Sequence, residues 1–127
     1  MKNINHTKKM NINAFTNENP ARCSPDKTGI RPEVMETIRN LAEKHHIETV
    51  ILFGSRARGD FKRTSDIDLA IYGGNIAGFC LDVEEETPTL LKYDFIDLGQ
   101  CVTSELSEEI YRDGKLLYRH MTSDLSE

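Results

Sequence analysis

The stretch "FGSRARGDFKRTSDIDLAI", residues 53–71, decides the fold of this 127-residue chain. It continues the apolar, β-branched run "TVILF" at residues 49–53, which is typical of a buried central strand. A Gly-Ser pair, a basic loop and the segment "DIDLAI" follow in that order. The pattern therefore predicts a strand, a turn into a short helix that ends at Gly59, a loop, and a second strand over residues 66–71.

The composition of the chain excludes several classes of protein. It holds 16 Lys and Arg against 21 Asp and Glu, and the formal net charge of −5 argues against a general nucleic-acid binder. No segment approaches the roughly 20 apolar residues of a membrane span, and the polar start has no apolar signal-peptide core. The three widely spaced cysteines have no zinc-type spacing with histidine. We therefore expect a reduced protein of the cytoplasm.

The chain is predicted to divide into one domain and two tails. Residues 1–29 are rich in Asn, Thr and Lys and hold few clustered apolar residues, so they are predicted to form a polar, flexible N-terminal tail. Residues 30–120 form the domain, and residues 121–127 form a C-terminal tail. A chain of this length has room for one modest core.

Four more elements are predicted on either side of the quoted stretch. They are an amphipathic helix over residues 31–46, a strand over 93–98, a helix over 104–114 and a terminal strand over 115–120. Ser104 is expected to cap the second of these helices. Residues 77–91 stay ambiguous, because Pro88 interrupts any long helix there.

Asp66 and Asp68 alternate with apolar residues along the second predicted strand. Residues two apart in a strand project to the same face, so the two carboxylates are expected to lie side by side. A divalent cation relieves their mutual repulsion, and magnesium prefers such oxygen ligands together with substrate phosphates. The alternative is the polar face of an ordinary half-buried strand, with two solvated aspartates.

Gly54 and Ser55 lie where the first strand ends and the short helix begins. Backbone N–H groups at a helix start attract anions, and glycine lets a phosphate approach the main chain closely. The alternative is a turn glycine followed by a helix cap. Four basic residues follow, and they either neutralise a triphosphate or are simply solvated: Arg56, Arg58, Lys62 and Arg63.

Taken together, the Gly-Ser pair, ten intervening residues and the Asp-x-Asp pair resemble the signature of the polymerase-beta-like nucleotidyltransferase superfamily. The stretch over residues 54–71 is similar to the minimal nucleotidyltransferase family. The resemblance extends through "YDFIDL" and "LSEEIYRDGKLLY" and covers residues 31–118. It implies an α/β (α+β) fold, in which a small mixed β-sheet carries helices packed on one side.

The resemblance also implies a metal site. In this superfamily the paired aspartates hold two magnesium ions, which assigns Asp66 and Asp68 to catalysis and to metal binding. A third carboxylate comes from the next strand, where Asp94 and Asp97 face opposite sides because they are three residues apart. We choose Asp94, because the family segment places the metal aspartate first, and Asp97 is the alternative.

A nucleotide site follows from the same resemblance. The Gly-Ser turn of the superfamily binds nucleotide phosphates, which assigns this role to Gly54 and Ser55. In the implied reaction an acceptor hydroxyl attacks the α-phosphate of ATP and pyrophosphate leaves, and Asp94 helps to deprotonate the acceptor. Arg58 is assigned to stabilise the negative charge that develops on the leaving pyrophosphate.

Members of the minimal family resemble antitoxins that pair with helical ribonuclease toxins of the HEPN family, and some transfer AMP to a tyrosine of the toxin. The resemblance therefore implies a protein adenylyltransferase that neutralises a HEPN-type toxin, with no direct nucleic-acid binding and no membrane. Two alternatives stay open. One is a non-catalytic module that masks its partner through residues 82–86 or the terminal helix, and the other is an aminoglycoside-type, small-molecule nucleotidyltransferase that acts with a partner subunit.

Overall fold

The structure is a computed structural model that describes residues 7–15 and 25–120. The helices are α1 Pro25–Thr28, α2 Pro32–Lys44, α3 Ser55–Arg58, α4 Ile76–Glu86 and α5 Ser104–Asp113, with one 3-10 turn at Ile12–Phe15. The strands are β1 Thr7–Lys8, β2 Thr49–Phe53, β3 Ile67–Tyr72, β4 Tyr93–Asp97, β5 Val102–Thr103 and β6 Lys115–Arg119. Within these described ranges, no helix has the length and apolar composition that a membrane crossing requires.

Four strands form one sheet in the order β4-β3-β2-β6. Strand β2 pairs antiparallel with both β3 and β6, whereas β3 and β4 are parallel and are joined by the crossover helix α4. All five residues of β2 are buried, as expected for a central strand. The predicted mixed sheet is therefore confirmed, and β4 lies at one edge of the four strands.

Helices α2 and α4 pack on one face of the sheet, which we call the α2–α4 face. Val50 and Leu52 of β2 point to this face, together with Leu69 of β3. Ile38 of α2 and Phe79 of α4 meet them and are fully buried. The apolar side of α2 that the sequence predicted is thus buried against the sheet.

The opposite face, which we call the α5 face, is covered in part by Ile110 of α5 and by Val102 of β5. Alternation along β2 turns Ile51 and Phe53 toward this second cluster. At the start of α5, the Thr103 hydroxyl accepts a hydrogen bond from the Leu106 N–H at 3.1 Å. The cap is therefore Thr103, one residue before the Ser104 that the sequence suggested.

Part of the segment that the sequence assigned to an N-terminal tail packs on the α5 face. Met10 and Phe15 are buried there, the Phe15 ring stacks on Tyr111 at 6.1 Å, and β1 pairs antiparallel with β5. Residues 1–6 and 16–24 and the predicted C-terminal tail at 121–127 lie outside the described residues. The domain boundaries at 30 and 120 stay a prediction.

The structure fixes the limits of two elements, helix α4 and strand β3. Helix α4 covers Ile76–Glu86 and ends before Pro88, with the Asn75 side chain accepting from the Gly78 N–H at 3.2 Å. Strand β3 begins at Ile67, one residue later than predicted, so Asp66 lies at the end of the preceding loop. The structure therefore places Asp66 outside the strand, which weakens the alternation argument for its orientation.

Candidate active site

Gly54 forms the turn between β2 and α3. Its φ of 77° lies in the left-handed region, and the residue is buried. A methyl group at this position would overlap the Oδ2 atom of Asp68. The turn therefore brings the main chain directly against the Asp68 carboxylate, and only glycine fits there without displacement of that side chain.

The short helix α3 begins immediately after this turn. The first hydrogen bonds of the helix are donated by the Ala57 and Arg58 N–H groups to the Gly54 carbonyl, at 3.1 and 3.0 Å. Gly59 ends the helix with a φ of 96°. The predicted order of strand, Gly-Ser turn, short helix and loop is thus confirmed, and Ser55 stands half-buried at the start of the helix.

Asp68 lies on the α5 face of the sheet. Its neighbours Ile67 and Leu69 are buried on the α2–α4 face, and its register partner on β2 is Phe53. The Asp68 side chain is half-buried, whereas Asp66 is exposed. Asp68 is thus the innermost of the predicted site carboxylates.

Asp94 is the register partner of Asp68 across the parallel pair β3 and β4. Register partners in a sheet share a face, so the structure brings Asp94 beside Asp68. Asp97 is the register partner of Ile71, which is buried on the α2–α4 face, so Asp97 lies on that face and not beside Asp68. Its Oδ1 atom accepts from the Gly99 N–H at 2.8 Å.

The gathered carboxylates change the acidity of Asp68. Burial, as the largest cause, and then the negative charges of Asp94, Asp66 and Glu109 together raise its pKa from 3.8 to about 6. The Arg58 guanidinium acts in the opposite direction. Negative charge is therefore concentrated around Asp68, which is the electrostatic condition that a bound cation relieves.

The carboxylates of this site suit magnesium only if oxygen atoms of the substrate complete its coordination. Among the described residues, no group of three or more His, Cys, Asp or Glu side chains converges closely enough to hold a metal ion. Magnesium is usually bound by one or two carboxylates together with waters and substrate phosphates. The pair Asp68 and Asp94 fits that pattern, and Asp66 lies exposed at its edge.

Arg58 is an exposed basic residue at the end of helix α3. Its guanidinium approaches Asp60 Oδ2 at 3.3 Å, Glu109 Oε2 at 3.3 Å and Asp113 Oδ2 at 3.9 Å. Sequence reasoning missed Glu109, although the four-residue spacing of Glu105, Glu109 and Asp113 marks one acidic side of α5. Helix α5 thus brings carboxylates to the same turn that holds Arg58.

Arg56 differs from the other basic residues of the loop. Its side chain is only 1% exposed, and it donates hydrogen bonds to backbone carbonyls of Thr28 and Ser65. Arg56 therefore fits neither alternative that the sequence left open, a partner of a triphosphate or a solvated cation, because its guanidinium faces the protein interior. Lys62 and Arg63 are exposed.

Comparison with known proteins gives this geometry a context. The sequence model of the family described as polymerase beta, nucleotidyltransferase matches residues 36–122. A relative from Methanocaldococcus jannaschii, named "putative protein adenylyltransferase MJ0604", is 32% identical in an alignment 97 residues long, and the match covers 67% of this chain and 94% of the relative. The resemblance that the quoted motif suggested is confirmed at the level of the family.

Solved structures show the same fold. A crystal structure described as a toxin–antitoxin with AMP-PNP is similar with a TM-score of 0.54 and 26% identity, over 72% of this chain and 77% of that one. A mutant of the toxin–antitoxin MntA–HpeT gives a TM-score of 0.54 at 24% identity, over the same shares of the two chains. The second likeness concerns the fold alone.

Proposed function

The chain belongs to the polymerase beta nucleotidyltransferase family, and on this premise we propose that it transfers AMP from ATP to a hydroxyl group of a partner protein. The name of the relative from Methanocaldococcus jannaschii supports a protein acceptor. The AMP-PNP in the similar toxin–antitoxin structure supports an adenine nucleotide as the donor. A partner toxin of the HEPN ribonuclease type, neutralised by the transfer, completes the proposal.

One observation carries the proposal. Asp68 and Asp94 share one face of the sheet, and the main chain of Gly54 contacts Asp68. This arrangement puts the turn at the start of α3 beside two carboxylates, with Arg58 at the end of the same short helix. Phosphoryl and nucleotidyl transfer need positioning and charge stabilisation more than covalent help from the protein, and these groups supply both.

The site residues have separate tasks in the proposed reaction. The main chain at Gly54 and Ser55 holds the phosphates of ATP, and Arg58 binds the pyrophosphate as it leaves. Asp68 and Asp94, with Asp66 at the edge, would hold magnesium, which would supply positive charge to lower the pKa of the acceptor hydroxyl and to offset the charge on the phosphates. The bond between the acceptor oxygen and the α-phosphorus forms, and the bond from that phosphorus to the pyrophosphate oxygen breaks.

Asp94 is the residue we propose for the acceptor proton. It lies on the edge strand β4 and is exposed, so an acceptor hydroxyl can approach it from solvent. Asp68 is less suitable, because it is half-buried against the Gly54 turn. The acceptor hydroxyl therefore approaches from the edge of the sheet in this proposal, while the nucleotide phosphates contact the turn.

The test is to incubate the purified protein with ATP, magnesium and the product of the adjacent gene, and to map AMP on the partner by mass spectrometry. We expect AMP on a hydroxyl side chain, loss of the modification in Asp66→Asn, and full modification by Glu85→Gln, which alters the exposed acidic segment 82–86. A partner that is neutralised equally by Asp66→Asn, without AMP, would instead show a masking module.

A further inference from the structure

Arg56 is the largest of the fully buried side chains, and the β2–β3 loop wraps around it. Its Nε donates to the Ser65 carbonyl at 3.0 Å, and its Nη1 donates to the Thr28 carbonyl at 3.0 Å. Its Nη2 donates to the carbonyls of Arg63 at 3.1 Å and Lys62 at 3.4 Å. One guanidinium thus fixes three carbonyls of a single loop and joins that loop to α1.

The packing around this guanidinium is close. The Phe61 ring lies over it, with 4.9 Å between the guanidinium carbon and the ring centroid. A methyl group at Gly29 would overlap the edge of the Phe61 ring and lie 2.8 Å from Arg56 Nη1. The loop can therefore shift only if these contacts around the buried guanidinium are broken.

The charge of Arg56 has no carboxylate at ion-pair distance among the described residues. Backbone carbonyls satisfy its donors instead, and the negative charges of Asp66 and Asp68 favour its charged form. A buried cation is costly unless its donors are satisfied. The loop carbonyls must therefore keep this arrangement for as long as Arg56 stays buried.

We propose that Arg56 is a positioning residue that holds Asp66 in place for metal and nucleotide by fixing the backbone immediately before it. The proposal rests on the role proposed above for Asp66. Ser65, whose carbonyl accepts from Arg56, directly precedes Asp66 in the chain. Asp66 stands outside strand β3, so the strand ladder does not fix it as it fixes Asp68. The hydrogen bond from Arg56 to the Ser65 carbonyl, which we call the clamp, fixes the backbone of Asp66 where the strand does not.

A turn within the loop works in the same direction. The Lys62 N–H donates to the Ser65 hydroxyl at 2.8 Å, and the Ser65 N–H donates to the Lys62 carbonyl at 3.0 Å. Ile67, just after Asp66, is anchored by its N–H to the Lys92 carbonyl at 2.8 Å. Asp66 is thus held between the clamp on one side and the start of the sheet on the other.

The first test measures backbone order and does not depend on the proposed function. Arg56→Lys keeps the charge but cannot reach three loop carbonyls, whereas Arg63→Lys changes an exposed side chain of the same loop. We expect the amides of Ser65 and Ile67 to exchange with deuterium about tenfold faster in Arg56→Lys and unchanged in Arg63→Lys. Unchanged exchange in a folded Arg56→Lys overturns the proposal.

The second test asks whether the effect passes through Asp66. Mn²⁺ affinity is measured by electron paramagnetic resonance in the presence of a non-hydrolysable ATP analogue. Arg56→Lys should weaken Mn²⁺ binding by about tenfold in the natural sequence and by less than about twofold in the Asp66→Asn background. An equal loss in both backgrounds means a general structural role and overturns the proposal.

A third variant protects both tests against loss of folding. If Arg56→Lys does not fold, Phe61→Leu retains the guanidinium and removes only the ring above it, and the same exchange and binding patterns are expected at about threefold. If the natural sequence itself binds no Mn²⁺ with nucleotide, the proposed function fails. The exchange measurement then decides alone whether Arg56 positions the backbone at Asp66.

Discussion

Gly54 and Asp68 lie in direct contact across strands β2 and β3, so that a methyl group on Gly54 would overlap a carboxylate oxygen of Asp68. This contact joins the two halves of the sequence motif in space, although ten residues separate Ser55 from Asp66 in the chain. The antiparallel pairing of β2 with β3 produces it, because Asp68 is the register partner of Phe53, the residue before Gly54.

Gly54→Ala should therefore abolish activity, because the new methyl group displaces the Asp68 carboxylate. Gly59→Ala is the matched control, since Gly59 also has a positive φ but nothing lies within 4 Å of its Cβ position. Gly59→Ala should lose about 1 kcal/mol of unfolding free energy from left-handed strain, and Gly54→Ala should lose more, because its backbone (φ 77°, ψ −160°) lies in a region almost restricted to glycine and its methyl group overlaps Asp68. Thermal unfolding measures both losses. Comparable activity in the two alanine variants would contradict the contact.

Asp94 and Asp97 should behave differently when each is changed to asparagine. Asp94→Asn removes the carboxylate beside Asp68 and should lower turnover by at least about 100-fold. Asp97→Asn retains the oxygen that accepts from Gly99, so both turnover and stability should change little. Steady-state kinetics on the partner protein measures the first effect. A larger loss in Asp97→Asn would make it the third carboxylate.

The pKa of Asp68 predicts a pH dependence of stability. The folded value of about 6 exceeds the ordinary value of 3.8, so the folded state binds more protons between these values and the free energy of unfolding falls as pH rises through this window. Asp68→Asn removes the penalty. We expect this variant to be more stable at pH 7.5 by on the order of 1 kcal/mol, after allowance for solvent screening.

Urea unfolding at a series of pH values provides the measurement for Asp68→Asn. The stability advantage of the variant should disappear below about pH 4, where the Asp68 carboxyl becomes protonated in both the folded and the unfolded chain. Parallel stability curves for the variant and the natural sequence would show that Asp68 titrates normally.

Arg58→Ala should lower kcat/KM for ATP by roughly 10- to 100-fold, because the negative charge on the leaving pyrophosphate is no longer stabilised by a guanidinium. Arg112→Ala is the control, since Arg112 pairs with the same Asp113 at 3.0 Å but projects from α5. Arg58 and Arg112 both make ion pairs at the surface, which contribute little to stability, so the free energy of unfolding should hardly distinguish the two variants. Equal kinetics would assign Arg58 to surface pairing alone.

Local patterns in the sequence predicted much of the fold. The apolar run of β2, the glycine turn and the amphipathic spacing of α2 are short-range features, and each element forms close to the predicted limits. These segments agree because local propensity and burial favour the same structure there. The segment containing Met10 and Phe15 was less visible, since two separated apolar residues do not form a periodic pattern.

Long-range relationships were beyond the sequence. The choice between Asp94 and Asp97 depends on the register of β4 against β3, which no local pattern encodes. Arg56 looked like a solvated cation, because the carbonyls that accept its hydrogen bonds belong to the main chain and leave no mark in the sequence. Glu109 was missed for a related reason, since its neighbour Arg58 is 51 residues away.

The most direct test of adenylyl transfer compares ATP labelled at the α-phosphate with ATP labelled at the γ-phosphate, each incubated with magnesium, this protein and the product of the adjacent gene. We predict that the partner protein acquires the α label but not the γ label, that Asp68→Asn abolishes the transfer, and that Asp97→Asn preserves it. A stable complex without α label on the partner, or α label that persists in Asp68→Asn, would contradict the account.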